Sequence, residues 1–394
     1  MKVRGGFDLT YCSNIHAGES WADVRDALAS ALPNVRRHLG AQGPLAIGLR
    51  LSARAAEELE QPAALDRFLA FMQDGDYYVP TINGFPFGAF HRSRVKENVY
   101  LPDWRDRRRL AYTNRLAGLL AALLKDRGLA EGSISTAPGA FKGHMQNDGD
   151  AAAIASSILE HASFLARVRD TTGVTIVLAI EPEPGCFIET TAEAVDFFTR
   201  FLFNEEFLRS RPQSRLTVDQ VRRHVGVCFD ACHMAVEFEE PAASLAALDR
   251  AAIRVPKFQI SSALQVRDAA AGSAGRRALE RFADDTYLHQ VVSRSDRGLV
   301  RYVDLPEALA GASGDRSEWR VHFHVPVFLR ALGDLETTQP DLEAVLDLVK
   351  GRTDAPCLEV ETYTWDVLPA EYRTADMSEA IARELSWTRA RLDA

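Results

Sequence analysis

Four short apolar runs in the second half of the chain each end at a side chain able to bind a metal ion, and this recurring pattern limits the folds open to it. The runs are Leu178-Ala179-Ile180-Glu181-Pro182, Val227-Cys228-Phe229-Asp230-Ala231-Cys232-His233, Lys257-Phe258-Gln259-Ile260-Ser261 and Leu358-Glu359-Val360-Glu361-Thr362. Short, continuously apolar runs suit strands of a parallel sheet that is covered on both faces. When such strands close into a barrel their C-terminal ends converge on one face, so ligands distant in sequence meet there.

The rest of the chain supports that reading. Strand-like and helix-like segments alternate, with candidate strands at 3–11, 45–52, 77–83, 133–137, 174–181, 225–230, 254–260 and 357–362. That alternation is the signature of βα units, and eight of them predict a (β/α)8 TIM barrel. Between the strands lie amphipathic stretches. Trp21, Val24, Leu28 and Leu32 share one helical stripe, and Ile154, Ile158, Leu165 and Val168 share another; His161 falls on the second stripe as a packed residue. A last helix after Ser378 places Ile381, Leu385 and Leu392 together. Residues 80–104 read as a long Gly/Pro/aromatic loop, and loops of that length are often functional. Residues 262–356 read as an insertion between strands seven and eight. It contains two β-like runs around Ser293–Gly298, and Val321-His322-Phe323-His324-Val325-Pro326 is a ninth strand candidate for eight places. No repeat or linker divides 1–394, so a single domain is expected.

A formal charge of −9 argues against a nucleic-acid or anionic-membrane surface. The basic run Arg105–Arg109 contains an acid and is expected to be a solvated helix face. No apolar stretch approaches the roughly 20 residues that span a bilayer, and the first residues lack a signal-peptide core. The five cysteines are sparse and odd in number, consistent with reduced thiols in a cytoplasmic protein. Cys228 and Cys232, with His224 and His233, suggest a zinc site, but no second cysteine pair follows. If 228–232 is one strand, Asp230 and Cys232 share a face.

Two Glu, an Asp and a Gln offer oxygen donors suited to Mg²⁺, Mn²⁺, Co²⁺ or Zn²⁺. Glu181, Asp230, Gln259 and Glu361 are therefore the candidate metal ligands. Glu181 and Glu361, on opposite sides of the barrel mouth by strand order, are the candidate catalytic pair. With a metal polarising a substrate carbonyl, one carboxylate removes a carbon-bound proton and the other returns it, the chemistry of isomerisation or epimerisation. Glu359 and Glu361 point the same way on an extended strand, and Glu361 is preferred as nearer the strand end. Glu183 and Glu189 read as surface residues of the turn forced by Pro182, Pro184 and Gly185. His322 and His324 are a His-x-His pair suited to a metal or substrate contact. Asn14, His16, Asn83, His91 and His233 are polar residues on the expected catalytic face and are candidate substrate contacts.

Glu181-Pro182, Phe229-Asp230-Ala231-Cys232-His233 and Glu361 together resemble the xylose isomerase-like barrel superfamily of sugar isomerases and epimerases. The resemblance implies a divalent metal held by Glu, Asp, His or Gln, and Glu on successive late strands. Phe258-Gln259-Ile260 is similar to the hydroxypyruvate isomerase version, with Gln where the ketose epimerases have His. Longer segments resemble the EboE-type metabolite traffic proteins: Leu9–Trp21, Asn83–His91, Asp285-Thr286-Tyr287-Leu288-His289-Gln290, His322-Phe323-His324-Val325-Pro326 and Glu361–Pro369. That likeness adds His289 and His324 to the substrate contacts. It implies a role in modifying or moving a small metabolite, with a small molecule as the main partner and a second copy or pathway proteins left open. The alternative to an enzyme is a non-catalytic carrier that keeps the barrel pocket.

Overall fold

The computed structural model describes residues 1–88, 96–211, 215–283, 286–311, 316–374 and 376–394. Eight parallel strands form a nearly closed barrel. They are β1 (Asp8–Tyr11), β2 (Leu45–Arg50), β3 (Tyr77–Asn83), β4 (Glu131–Thr136), β5 (Thr175–Ile180), β6 (Val225–Asp230), β7 (Arg254–Ile260) and, last in the chain, β14 (Cys357–Val360). Their order is β1-β14-β7-β6-β5-β4-β3-β2. A single parallel bridge, Cys12 to Gly48, joins the two ends, and the Arg50 backbone N–H donates to Ser13 Oγ at 2.8 Å beside it.

The eight predicted strands are the barrel strands, but several ends moved. The first shrinks from 3–11 to 8–11 because Gly5 and Gly6 take positive φ and turn the chain. The second stops at Arg50 because Ser52 caps the helix Ala53–Leu59, accepting from Ala55 N–H. β3 runs to Asn83, so the predicted loop begins only at Gly84.

The apolar stripes form helices over the barrel. Trp21–Leu39 starts at a Ser20/Asp23 capping box and ends at Gly40 with φ 57°. Asp148–Thr172 carries His161 fully buried, its Nδ1 2.7 Å from Asn114 Oδ1. The last helix, Met377–Asp393, packs against Trp21–Leu39 and β1. Among the described residues no helix is long and apolar enough to cross a membrane. The Arg105–Arg109 run is solvated only in part. Arg107 and Arg108 are exposed, whereas Arg109 is buried, donating to the Pro102 and Gly84 carbonyls and so pinning the chain that leaves β3.

The stretch between β7 and β14 builds a second, antiparallel sheet. Its strands are β8 (Leu264–Val266), β9 (Val291–Ser295), β10 (Gly298–Tyr302), β11 (Glu318–Val321), β12 (Ala331–Leu332) and β13 (Leu335–Thr337). β9 and β10 are the predicted hairpin, with a shorter turn at Asp296-Arg297. His322–Pro326 is not a strand: pairing stops at Val321, and the chain there crosses to the barrel mouth. The sheet has its own core around Trp319, Val321, Phe323 and Leu332. Not all of 262–356 is inserted, because the helix Gln339–Val349 buries Leu342, Val345, Leu346 and Val349 in the barrel core. Arg301 pairs with Glu237 at 2.6 Å and Lys96 with Asp304 at 2.6 Å, tying this sheet to the barrel and its loops.

Candidate active site

The barrel interior is unusually polar. Alternate strand residues such as Ile134, Leu178, Phe229, Phe258 and Leu358 join the helix-covered core, and the residues between them face one another inside. There Lys257 Nζ lies 2.6 Å from Glu359 Oε1 and donates to Ser135 Oγ at 3.1 Å, while Thr10 Oγ1 donates to the other Glu359 oxygen at 3.4 Å. Burial works against the Lys257 ammonium, but Glu359, followed by the Cys228 and Cys12 thiols, outweighs it and holds the amine above its ordinary range. Gly48 makes room for this pair: a Cβ there would sit 1.3 Å from Glu359 Oε2.

This resolves the two glutamates that strand parity left open. Glu359 is neutralised inside the barrel. Glu361 sits two residues further, at the mouth, where Asn14 Nδ2 donates to its Oε1 at 2.7 Å and Asn83 Nδ2 at 3.0 Å. No basic side chain among the described residues pairs with it.

Glu181, Asp230 and Glu361 each place a carboxylate oxygen within 4.8 Å of the other two, all three buried. Asp230 ends β6 and caps the next helix, Ala231–Val236; its Oδ1 accepts from His233 N–H at 2.9 Å and Ser261 Oγ at 2.7 Å. Among the described residues its Oδ2 has no hydrogen-bond partner, nor do Gln259 Oε1 and Nε2. Gln259 pairs in register with Asp230 on one side and Glu359 on the other. Burial, then Glu361 and Asp230, pushes the Glu181 carboxyl well above its usual range, and burial, then Asp230 and Glu359, pushes Glu361 up to about 8. Three clustered buried carboxylates, with Asp230 Oδ2 unpartnered in hydrogen bonding and no lysine or arginine paired to any of them among the described residues, fit an oxygen-ligated divalent cation.

Without a cation the same crowding costs stability. Since Glu361 is lifted from 4.5 to about 8, the native protein holds a proton that the unfolded chain releases. Its contribution to stability is complete below pH 4.5 and is lost as pH rises through 8. In metal-free protein, Glu361→Gln is therefore expected to raise the melting temperature at pH 8 and to change it little near pH 4.5. Equal melting temperatures at pH 8 would refute this.

A histidine wall flanks the carboxylates. His233 Nε2 lies 3.1 Å from His322 Nε2 and 3.7 Å from Asp230 Oδ2, and His324 packs against Tyr363 with ring centroids 4.7 Å apart and planes tilted by 45°. Burial pulls His324 down to about 4 against the opposing pull of Asp230. Burial, then His233 and His324, holds His322 well below its ordinary range. Above the floor lies a cavity walled by Phe85, Tyr100, Tyr287 and Tyr363. Aromatic walls over a few convergent polar groups are the lining of a small-molecule site.

Of the other residues singled out, Asn14, Asn83, His233 and His324 line this cavity. His16 is not among the lining residues and lies 3.1 Å from Tyr11 Oη, and His289 is buried behind the wall with Nδ1 on the His322 carbonyl. His91 falls outside the described residues. Glu183 and Glu189 are buried, not on the surface, because the Pro182–Cys186 turn folds inward; Glu183 lines the cavity and accepts from Tyr100 Oη at 2.6 Å. Cys232 begins no strand face with Asp230, since the helix starts at Ala231. His224 lies elsewhere, with Nδ1 on the Ile176 carbonyl. Reading strand ends alone missed Tyr100, Glu183 and Tyr363; the spacing of Glu183 from Glu181 was the signal available for one of them.

No family model and no curated protein matches this sequence. Among solved structures, a xylose isomerase-like TIM barrel protein from Mycobacterium smegmatis in complex with magnesium superposes over 100% of this chain and 98% of its own, with a TM-score of 0.53 at 12% identity. The fold is the xylose isomerase-like TIM barrel. Also similar are a D-allulose 3-epimerase from Methylomonas sp. in complex with D-allulose (12% identity, 98% and 97% covered, TM-score 0.47) and the IolI protein with a bound zinc atom (13%, 98% and 97%, 0.45). In this barrel the ends of β5, β6, β7 and β14 carry the acidic cluster and Gln259.

Proposed function

We propose that the protein is a divalent-metal-dependent isomerase or epimerase acting on a small hydroxy-carbonyl metabolite by proton transfer. The observation that carries this reading is the buried trio Glu181, Asp230 and Glu361 within 4.8 Å, with no lysine or arginine paired to any of them among the described residues. Glu181, Asp230, Glu361 and Gln259 would hold the ion. A cation bound there, Mg²⁺, Mn²⁺, Co²⁺ or Zn²⁺, supplies a Lewis acid that polarises a carbonyl and acidifies the neighbouring C–H.

The chain's own residues move the proton. One of Glu181 and Glu361 takes it from carbon while the C–H electron pair shifts toward the carbonyl oxygen. Return at the neighbouring carbon gives isomerisation, and return by the opposite carboxylate to the other face gives epimerisation. Both Asn14 and Asn83 bind Glu361 Oε1, which orients the carboxylate and leaves Oε2 for the proton. The lining residues His233 and His324 hold substrate oxygens, and the aromatic wall excludes water. The likeness of the longer segments to EboE-type proteins supports placing this activity in a pathway that modifies or moves a small metabolite.

Elemental analysis of protein purified without chelator, beside a Glu181→Ala/Asp230→Ala variant, tests the reading. Metal in the wild type that the variant loses is expected. A wild type that binds no metal after reconstitution, yet binds a small carbonyl compound, would replace this reading with a carrier.

A further inference from the structure

Two residues of the inserted segment set the polarity of the histidine wall. β9 and β11 pair antiparallel, with Val291 opposite Val321. One step beyond that pair Gln290 meets His322 twice. The His322 backbone N–H donates to the Gln290 carbonyl at 2.8 Å, and His322 Nδ1 lies 2.7 Å from Gln290 Oε1. The Gln290 amide has one orientation, because its Nε2 donates to the Pro184 carbonyl at 2.8 Å and to Tyr100 Oη at 3.0 Å. The Tyr100 hydroxyl in turn donates to Glu183 at 2.6 Å. Gln290 Oε1 is thus the acceptor, and His322 carries its hydrogen on Nδ1 and its lone pair on Nε2.

His233 has the same tautomer, since its Nδ1 lies 2.9 Å from the Pro182 carbonyl, a group that only accepts. The two rings meet edge to face, with their Nε2 atoms 3.1 Å apart. Two lone pairs therefore face each other with no hydrogen between them. Both rings are buried, and both line the cavity. Leaving such acceptors unsatisfied costs free energy. A proton shared between them would place a charge on His322, which burial, then His233 and His324, already disfavours. A hydrogen donated from the cavity side serves both nitrogens at once.

We propose that Gln290 is a positioning residue that locks His322 as an acceptor, so that His322 and His233 together take one hydroxyl hydrogen from the bound molecule. His324 adds to the same polarity. Its Nδ1 is held 2.8 Å from the Glu361 carbonyl, and its Nε2 is buried with no hydrogen-bond partner among the described residues. The wall selects a molecule that brings a hydroxyl to it and turns away one that presents an ether or anionic oxygen there. Without Gln290 a hydrogen on His322 Nε2 becomes open, which donates to His233 Nε2 and closes the pair. The inference rests on the small-molecule cavity of the proposed function, but not on a metal or on turnover.

The first measurement is long-range proton–nitrogen NMR correlation on histidine-labelled, metal-free protein, which reads whether each ring nitrogen carries hydrogen. The His322 signals, identified as those lost in His322→Gln, are expected to show hydrogen on Nδ1 and a lone pair on Nε2. Gln290→Leu should move that hydrogen to Nε2, a change that a purely structural role would not produce. The second is calorimetric binding of dihydroxyacetone beside its mono-methyl ether, which keeps the oxygen and loses the hydrogen. The ether is expected to bind the wild type about 10–100-fold more weakly, and Gln290→Leu to narrow that preference to a few-fold. Hydrogen on His322 Nε2 in the wild type overturns the inference, as do equal affinities or no binding of either probe. Should Gln290→Leu fail to fold, the wild-type spectrum and affinities decide alone. Equal affinities in a protein that binds metal and exchanges the carbon-bound proton leave the proposed function standing. The expected tautomer and preference in a protein that binds no metal do the reverse.

Discussion

Lys257→Met is expected to destabilise the protein by about 3–5 kcal/mol, the cost of stripping one partner from a buried ion pair. Both side chains of the pair are fully buried. Without Lys257, the Glu359 carboxylate keeps, among the described residues, only the long hydrogen bond from Thr10 in the middle of the barrel. The same account predicts recovery in the double variant Lys257→Met/Glu359→Met, since an apolar replacement of both partners is often neutral or stabilising. Gly48→Ala should act from the other side, because its methyl carbon would collide with Glu359 Oε2. Urea denaturation of the two single variants and the double variant measures this. A double variant no more stable than Lys257→Met would show that the pair is not the unit that matters.

Glu361→Gln is expected to slow proton exchange at the substrate carbon by about 10²–10⁴-fold, the usual contribution of a positioned acid or base. The amide oxygen can still accept from Asn14 and Asn83, so the side chain stays in place and only the proton-carrying oxygen is lost. The measurement is solvent deuterium incorporation into hydroxypyruvate and short ketoses, followed by proton NMR. Glu359→Gln is the informative contrast, as it lies two residues earlier, beneath the floor. An exchange rate in Glu361→Gln within a few-fold of wild type would remove Glu361 from the catalytic pair.

Much of the fold and part of the site were legible in the order of residues. Apolar runs such as Thr175–Ile180 lie in strands covered on both sides, so their composition alone marks them. Asp230 was legible because it ends a strand and caps a helix, and both leave local traces. Helical stripes at Trp21–Leu32 and Ile154–Leu165 are equally local.

Contacts between distant segments left no such trace. Glu359 and Glu361 share a strand face, and what separates them is Lys257 on β7 together with the space at Gly48 on β2, neither of which is visible from β14. Glu183 reads as a surface residue beside two prolines, until the inward turn and Tyr100 bury it. His322 and His324 read as a strand, until the inserted sheet ends at Val321 and hands them to the mouth. The sequence by itself therefore determined the barrel and where its strands run, and marked Glu181, Asp230, Gln259 and Glu361 near their C-terminal ends, because periodicity and turn chemistry act over a few residues. Only the tertiary structure decided which glutamate is neutralised and which histidines join the site. Those choices depend on charges and lone pairs that meet across the barrel after hundreds of intervening residues have packed.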